Sequence, residues 1–245
     1  MREKGFFGSL GSPPEVPFGG WGSVRRRPRQ FPLIMNRLRV RIVFCKQGDL
    51  RWIGHRDLAR LWERLFRRAG IRLAHSQGFH PKPKMSFPLA LAVGIEGLQE
   101  VMEVELTEPW TPEQVREKLT AVAPSGLEIV HLECLAPGAP KARVRAVSYR
   151  MAVPADRYAQ LAERIAAWSG GSKAETLQGP VSGNSLLPQA LEAIRLEEGR
   201  LEFTLRVLPE GLPNGREVLA ALQLADLEPH GAVLIRSRVE LEASS

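Results

Sequence analysis

Two short stretches gather side chains able to hold an anion. The first is Leu50-Arg51-Trp52-Ile53-Gly54-His55-Arg56-Asp57-Leu58. The second is Ala74-His75-Ser76-Gln77-Gly78-Phe79-His80-Pro81-Lys82-Pro83-Lys84. The second places a hydroxyl, an amide, imidazoles, two ammonium groups and an aromatic ring within a few residues. Point charges suit phosphate, a ring suits stacking on a base, and prolines limit the entropy lost when a loop is ordered by a ligand. The competing reading is a merely solvated loop, with Phe79 turned inward as a core plug.

The elements that carry these groups follow from hydrophobic spacing. Leu58, Leu61, Trp62, Leu65, Phe66 and Ala69 fit one stripe of a helix over roughly 56–69, with Gly70 placed to end it. Arg56, Arg60, Glu63, Arg64 and Arg67 fall opposite that stripe, so the outer face is almost wholly cationic. An amphipathic helix on a soluble domain normally mixes both signs there. Leu38, Val40, Ile42 and Phe44 alternate with Arg39, Arg41 and Val43, which predicts a half-buried strand before the helix. Further strands are expected at 71–75, 86–93, 99–107 and 127–132. A second helix is expected to open at Thr111-Pro112-Glu113, with Thr111 as N-cap and Pro112 in the first turn.

The resulting order, strand-helix-strand-strand-helix-strand, predicts an α+β fold of the ferredoxin-like (βαββαβ) kind for residues 35–134. The Ala136-Pro137-Gly138-Ala139-Pro140 run reads as a linker, taken over 135–146. Residues 147–245 read as a second α+β domain, expected to repeat that topology in tandem. Its strands are expected at 147–153, 200–208 and 232–241 and its helices at 155–168 and 215–222; the region up to Ile194 has no clear pattern. Residues 1–34, rich in Gly, Pro and Ser and ending near Arg25-Arg26-Arg27, are expected to be a disordered extension.

Charge is unevenly spread. The chain has 34 Lys and Arg against 27 Asp and Glu, a net +7. Thirteen of the cations fall between Arg37 and Lys84, facing only Asp49, Asp57 and Glu63, whereas the balance from Glu96 to Glu133 is acidic. Such a patch favours nucleic acid, a nucleotide, an anionic lipid or an acidic protein surface. No apolar run approaches the ~18 residues a membrane-spanning helix needs. Cys45 and Cys134, the only cysteines, are expected as buried reduced thiols in a cytoplasmic protein. Two cysteines cannot build an iron–sulfur centre from this chain alone. His55, His75, His80 and Asp57 show no recognised ligand spacing, so neither a metal nor a cofactor is expected.

Phe44-Cys45-Lys46 with Gly48, Arg51 through Asp57, Arg67-Arg68-Ala69-Gly70, and Ser76 through Pro83 resemble the radical SAM-linked protein family. The resemblance runs from about Leu38 onward, with the specific motifs confined to the first half. It implies a domain that works behind, or encoded apart from, a radical SAM module, and hence a radical SAM protein as partner. Two positions depart from the family pattern. Its Ser-His-Leu-Asp stands here as Gly54-His55-Arg56-Asp57, without the hydroxyl, and its Gly-Phe-Asn-Pro stands as Gly78-Phe79-His80-Pro81.

Three functions follow. In an RNA-binding accessory protein, Arg51, Arg56, Arg60, Arg64, Arg67, Arg68, Lys82 and Lys84 would hold phosphates. Ser76, Gln77, Phe79 and His80 would then contact the nucleotides. In a metal-independent endoribonuclease, likened only in architecture to CRISPR repeat-processing enzymes, His55 would be general base, His80 general acid and Lys46 an oxyanion stabiliser. A lone histidine at a helix start is more often a structural group. In a protein–protein adaptor the patch would dock on an acidic partner.

Overall fold

The computed structural model describes residues 37–170 and 186–243. The expectation for residues 1–34 lies outside them. In chain order come β1 (Leu38–Lys46), a 3-10 turn (Gly48–Trp52), α1 (His55–Arg68), β2 (Met85–Ser86), β3 (Glu96–Leu106), α2 (Pro112–Thr120) and β4 (Leu127–Leu135). The second half holds β5 (Val144–Ala152), α3 (Ala155–Gly170), α4 (Leu187–Ala190), β6 (Leu191–Glu197), β7 (Arg200–Arg206), α5 (Gly215–Ala221) and β8 (Ile235–Leu241). The chain is thus a mixed α/β protein. Its strands form one eight-stranded sheet in the order β4-β1-β3-β8-β5-β7-β6, with β2 paired to β3.

Each half has its last strand beside its first and its first beside its third. The neighbours are antiparallel within each half, and β3 meets β8 in parallel across the middle. β3 can serve both halves because it is eleven residues long. Its start, Glu96 and Gly97, pairs with β8, while Glu103 and Val104 further along pair with β2.

Period-2 alternation sends Val40, Ile42 and Phe44 of β1 and Met102, Val104 and Leu106 of β3 to one face, where α1 and α2 cover them. Leu58, Trp62, Leu65, Phe66 and Ala69 of α1 complete that core, as their spacing predicts. Trp62 meets Phe44 edge-on at 5.1 Å between ring centroids. α1 stops because Gly70 takes φ +72°, which lets the Ile71 N–H reach the Phe66 carbonyl (3.0 Å) and the Gly70 N–H reach the Arg67 carbonyl (3.2 Å). Thr111 caps α2 in a full capping box with Gln114.

A second core lies between β5, β7 and the helices α3 to α5, with Val147, Tyr149, Leu201, Phe203 and Val218 among its residues. It also takes Leu91 and Ile95 from the connection between β2 and β3. The segment from the end of α1 to the start of β3 differs from the expected strands at 71–75 and 86–93. Leu73 and His75 make only isolated bridges, β2 is two residues long, and residues 87–95 are irregular. Pro81, Pro83 and Pro88 remove ladder donors there, and the apolar side chains after Pro88 are spent on the second core. β6, for which the sequence has no clear pattern, is a regular strand paired to β7. Cys45 is buried as expected, but Cys134 is exposed because it stands near the end of the outermost strand. Among the described residues, no helix is long and apolar enough to cross a membrane.

Candidate functional site

α1 presents its arginines to solvent. Arg56, Arg60, Arg64, Arg67 and Arg68 are all exposed, and among the described residues only Arg60 of these has an ion-pair partner, the exposed Asp57 one turn earlier at 3.4 Å. Three arginines of β1 and β8 behave differently. Arg39 and Arg41 share the buried Glu103, and Arg236 is locked to Glu100. Among the described residues, four guanidinium groups of this one fourteen-residue helix thus have no ion-pair partner, as is also true of the exposed Arg200, Arg206 and Arg238 on β7 and β8.

The Ser76–Lys84 stretch folds as a small closed loop. The Ser76 N–H donates to the Lys82 carbonyl (2.8 Å), the Lys82 N–H to the Ser76 hydroxyl (3.0 Å), and the Lys84 N–H to the Ala74 carbonyl (2.7 Å). Ser76 is thus committed to holding the loop shut. Beyond this neck Gln77, Phe79, His80 and Lys82 are exposed, and the Phe79 ring is fully so. The core-plug reading of Phe79 is excluded. Lys84 sits at the base, half-buried and paired with Glu105 at 2.8 Å. An open groove lined by Arg67, His75, Pro83, Arg72 and Glu108 joins the C-terminal end of α1 to the neck of the loop. Helix face and loop therefore belong to one continuous surface.

Of the three residues expected to act in RNA cleavage, one is enclosed in the fold and two are exposed. Lys46 is 1% exposed, and its ammonium donates to the Ile53 carbonyl (2.9 Å) and the Arg51 carbonyl (3.4 Å). Burial lowers its pKa, with Arg236 adding to the effect and Glu100 opposing it. An ammonium enclosed in this way cannot meet a substrate oxyanion, so the role expected for Lys46 in cleavage is corrected to a structural one. His55 is the first residue of α1, exposed, with its ring edge-on to Phe87 at 5.2 Å. His80 lies at the exposed end of the loop. Arg51, expected to hold a phosphate, leans over the Trp52 ring at 4.8 Å and pairs with Glu96 at 3.6 Å.

Two features at the seam of the halves were not among the expected site residues. Glu100 and Arg236 form a bidentate pair at 4% and 2% exposure, with the Arg236 Nη1 also donating to the Ala90 carbonyl (3.0 Å). Burial works against the charge of Arg236, yet the bond and charge of Glu100 hold its pKa above the ordinary value. Gly97 allows this packing, since a Cβ there would fall 2.5 Å from the Glu100 side chain. Trp52 is the other feature, 60% exposed beside Gly94 and Arg216. Its type and its position next to Arg51 were visible in the sequence, but nothing local told an exposed tryptophan from a core one.

A sequence model of one protein family matches residues 39–184, more than half of the chain. The chain belongs to the family described as "Uncharacterized protein conserved in bacteria (DUF2344)". The DUF2344 match includes every candidate residue from Lys46 to Lys84. No curated protein matches the chain.

Proposed function

We propose that this DUF2344 protein is a cytoplasmic RNA-binding accessory protein that works with a radical SAM enzyme in RNA modification or processing. The observation that carries the RNA part is the surface made by α1 and the closed loop. It offers Arg56, Arg64, Arg67, Arg68 and Lys82 without acidic partners among the described residues, next to a free aromatic ring at Phe79. Unpaired guanidinium groups gain most from phosphate, because each contact releases condensed counterions and gives up no internal ion pair. The radical SAM partner is supported by the motifs from Phe44 to Pro83. The chemistry would sit on that partner, since two cysteines cannot hold a cluster.

We read each half as a ferredoxin-like unit, supported by the repeated strand order, last-first-third-second, in both. Copurification from the native host tests the proposal as a whole. RNA and a radical SAM protein should be retained together. Recovery of an acidic partner protein with nuclease-insensitive binding and no RNA would replace it with the adaptor function.

A further inference from the structure

The seam between the halves holds a second aromatic group with cations around it. Trp52 closes the 3-10 turn just before α1, and its ring rests against Gly94 with the Arg51 guanidinium 4.8 Å from its centroid. The backbone fixes this arrangement, as the Gly94 N–H donates to the Arg51 carbonyl at 2.8 Å. From the other half Arg216, at the start of α5, donates to the Val93 carbonyl at 3.0 Å while paired with Glu228. Trp52 and Val93 are two of the five large apolar residues left exposed among those described, and Val93 directly precedes the glycine on which Trp52 rests. Burying Trp52 would remove a large apolar area from water, yet the fold leaves it out, held in place by its neighbours.

We infer that Trp52 is a base-stacking platform and that the ligand of this surface is single-stranded rather than duplex RNA. This rests on the RNA-binding proposal and goes beyond it. A duplex keeps its bases stacked inside and offers phosphates and groove edges, so an exposed indole gives it little. An unpaired strand turns its bases outward, and any base can lie on an aromatic face. Trp52 stands directly ahead of the α1 arginines in the chain, and Phe79 stands on the loop beyond their far end. A strand running along the α1 face would have its phosphates on Arg56, Arg60, Arg64 and Arg67 and an aromatic ring beyond each end. The Arg51 guanidinium already covers one face of the indole, so a base entering on that side would stack on the planar Arg51–Trp52 pair rather than on the bare ring.

The test uses the full chain, a short fluorescently labelled RNA of mixed sequence, and the same RNA annealed to its complement, followed by anisotropy at low salt. The single strand should bind more tightly than the duplex. Trp52→Ala should weaken single-strand binding by about 5- to 150-fold, the loss of one base–aromatic stack, and leave the salt dependence unchanged. Trp52→Phe should restore most of the affinity. An exposed side chain such as Trp52 can be truncated without unfolding, and an unchanged circular dichroism spectrum verifies this. Equal or tighter duplex binding, or a Trp52→Ala protein that binds the single strand as the parent does, would overturn the inference while RNA binding itself stood. Failure of both RNA forms to bind would remove the RNA-binding proposal and this inference together.

Discussion

Glu100 and Arg236 show how much one residue pair can hold. Their mutual hydrogen bonds are the means by which two buried charges are tolerated at the junction of β3 and β8, with Lys46 close by. Glu100→Ala leaves a guanidinium and an ammonium uncompensated, and should lower unfolding free energy by about 3–5 kcal/mol in urea melts. Glu100→Leu with Arg236→Met removes the guanidinium as well, leaving only the Lys46 ammonium without its carboxylate, and should lose less than Glu100→Ala alone. Glu103 gives a pH signature on the opposite face of the sheet. Burial disfavours its charge, but bonds from Arg39, Arg41 and the Ala142 N–H outweigh this and hold its carboxyl below the usual range. A depressed carboxylate stabilises the fold above its unfolded pKa, near 4.5, and that contribution fades as pH falls through the folded value. Glu103→Gln should therefore be less stable than the parent at pH 7. The gap should narrow steadily below pH ~4.5; a gap independent of pH would contradict the assignment. At this scale the sequence was a partial guide. Arginine and lysine at 51–84 announced a cationic surface, but whether Phe79, Trp52 or Lys46 faced water depended on contacts with remote residues.

At the scale of elements, α1 is the part on which the surface depends, and its ends are set by two glycines. Gly70 at φ +72° closes the Schellman turn, so Gly70→Ala should cost about 1 kcal/mol by thermal or urea unfolding. Gly54 is the N-cap of α1 and makes no side-chain cap bond. A serine hydroxyl at this position would have a capping role available. Gly54→Ser should raise stability by a few tenths of a kcal/mol, its Cβ fitting 4.0 Å from Val93. Elements with strong periodicity, β1, α1, α2 and β4, were legible because one face of each meets a single core. The segment 71–95 was not, because Leu91 and Ile95 pack into the core of the other half, where no local spacing could point. β6 was missed for lack of a regular pattern, its place being fixed by pairing with β7.

On the scale of the whole molecule, a net +7 is unevenly distributed, and the acidic stretch from Glu96 onward pairs with Arg39, Arg41 and Arg236 of the sheet. The surface proposed for a partner is the α1 face, the closed loop and the seam around Trp52. Removing Arg39, Arg41 or Arg236 should damage folding, whereas removing the arginines of α1 should change binding with little effect on stability. The most direct measurement is the affinity for single-stranded RNA as a function of salt, for the parent and for Arg60→Ala/Arg64→Ala/Arg67→Ala. The parent should lose affinity linearly in a plot of log affinity against log salt, and the triple variant should have a slope shallower by about 2, at about 0.7 per phosphate contact. No affinity at low salt, or a triple variant with the affinity and slope of the parent, would contradict an RNA-binding role for this surface.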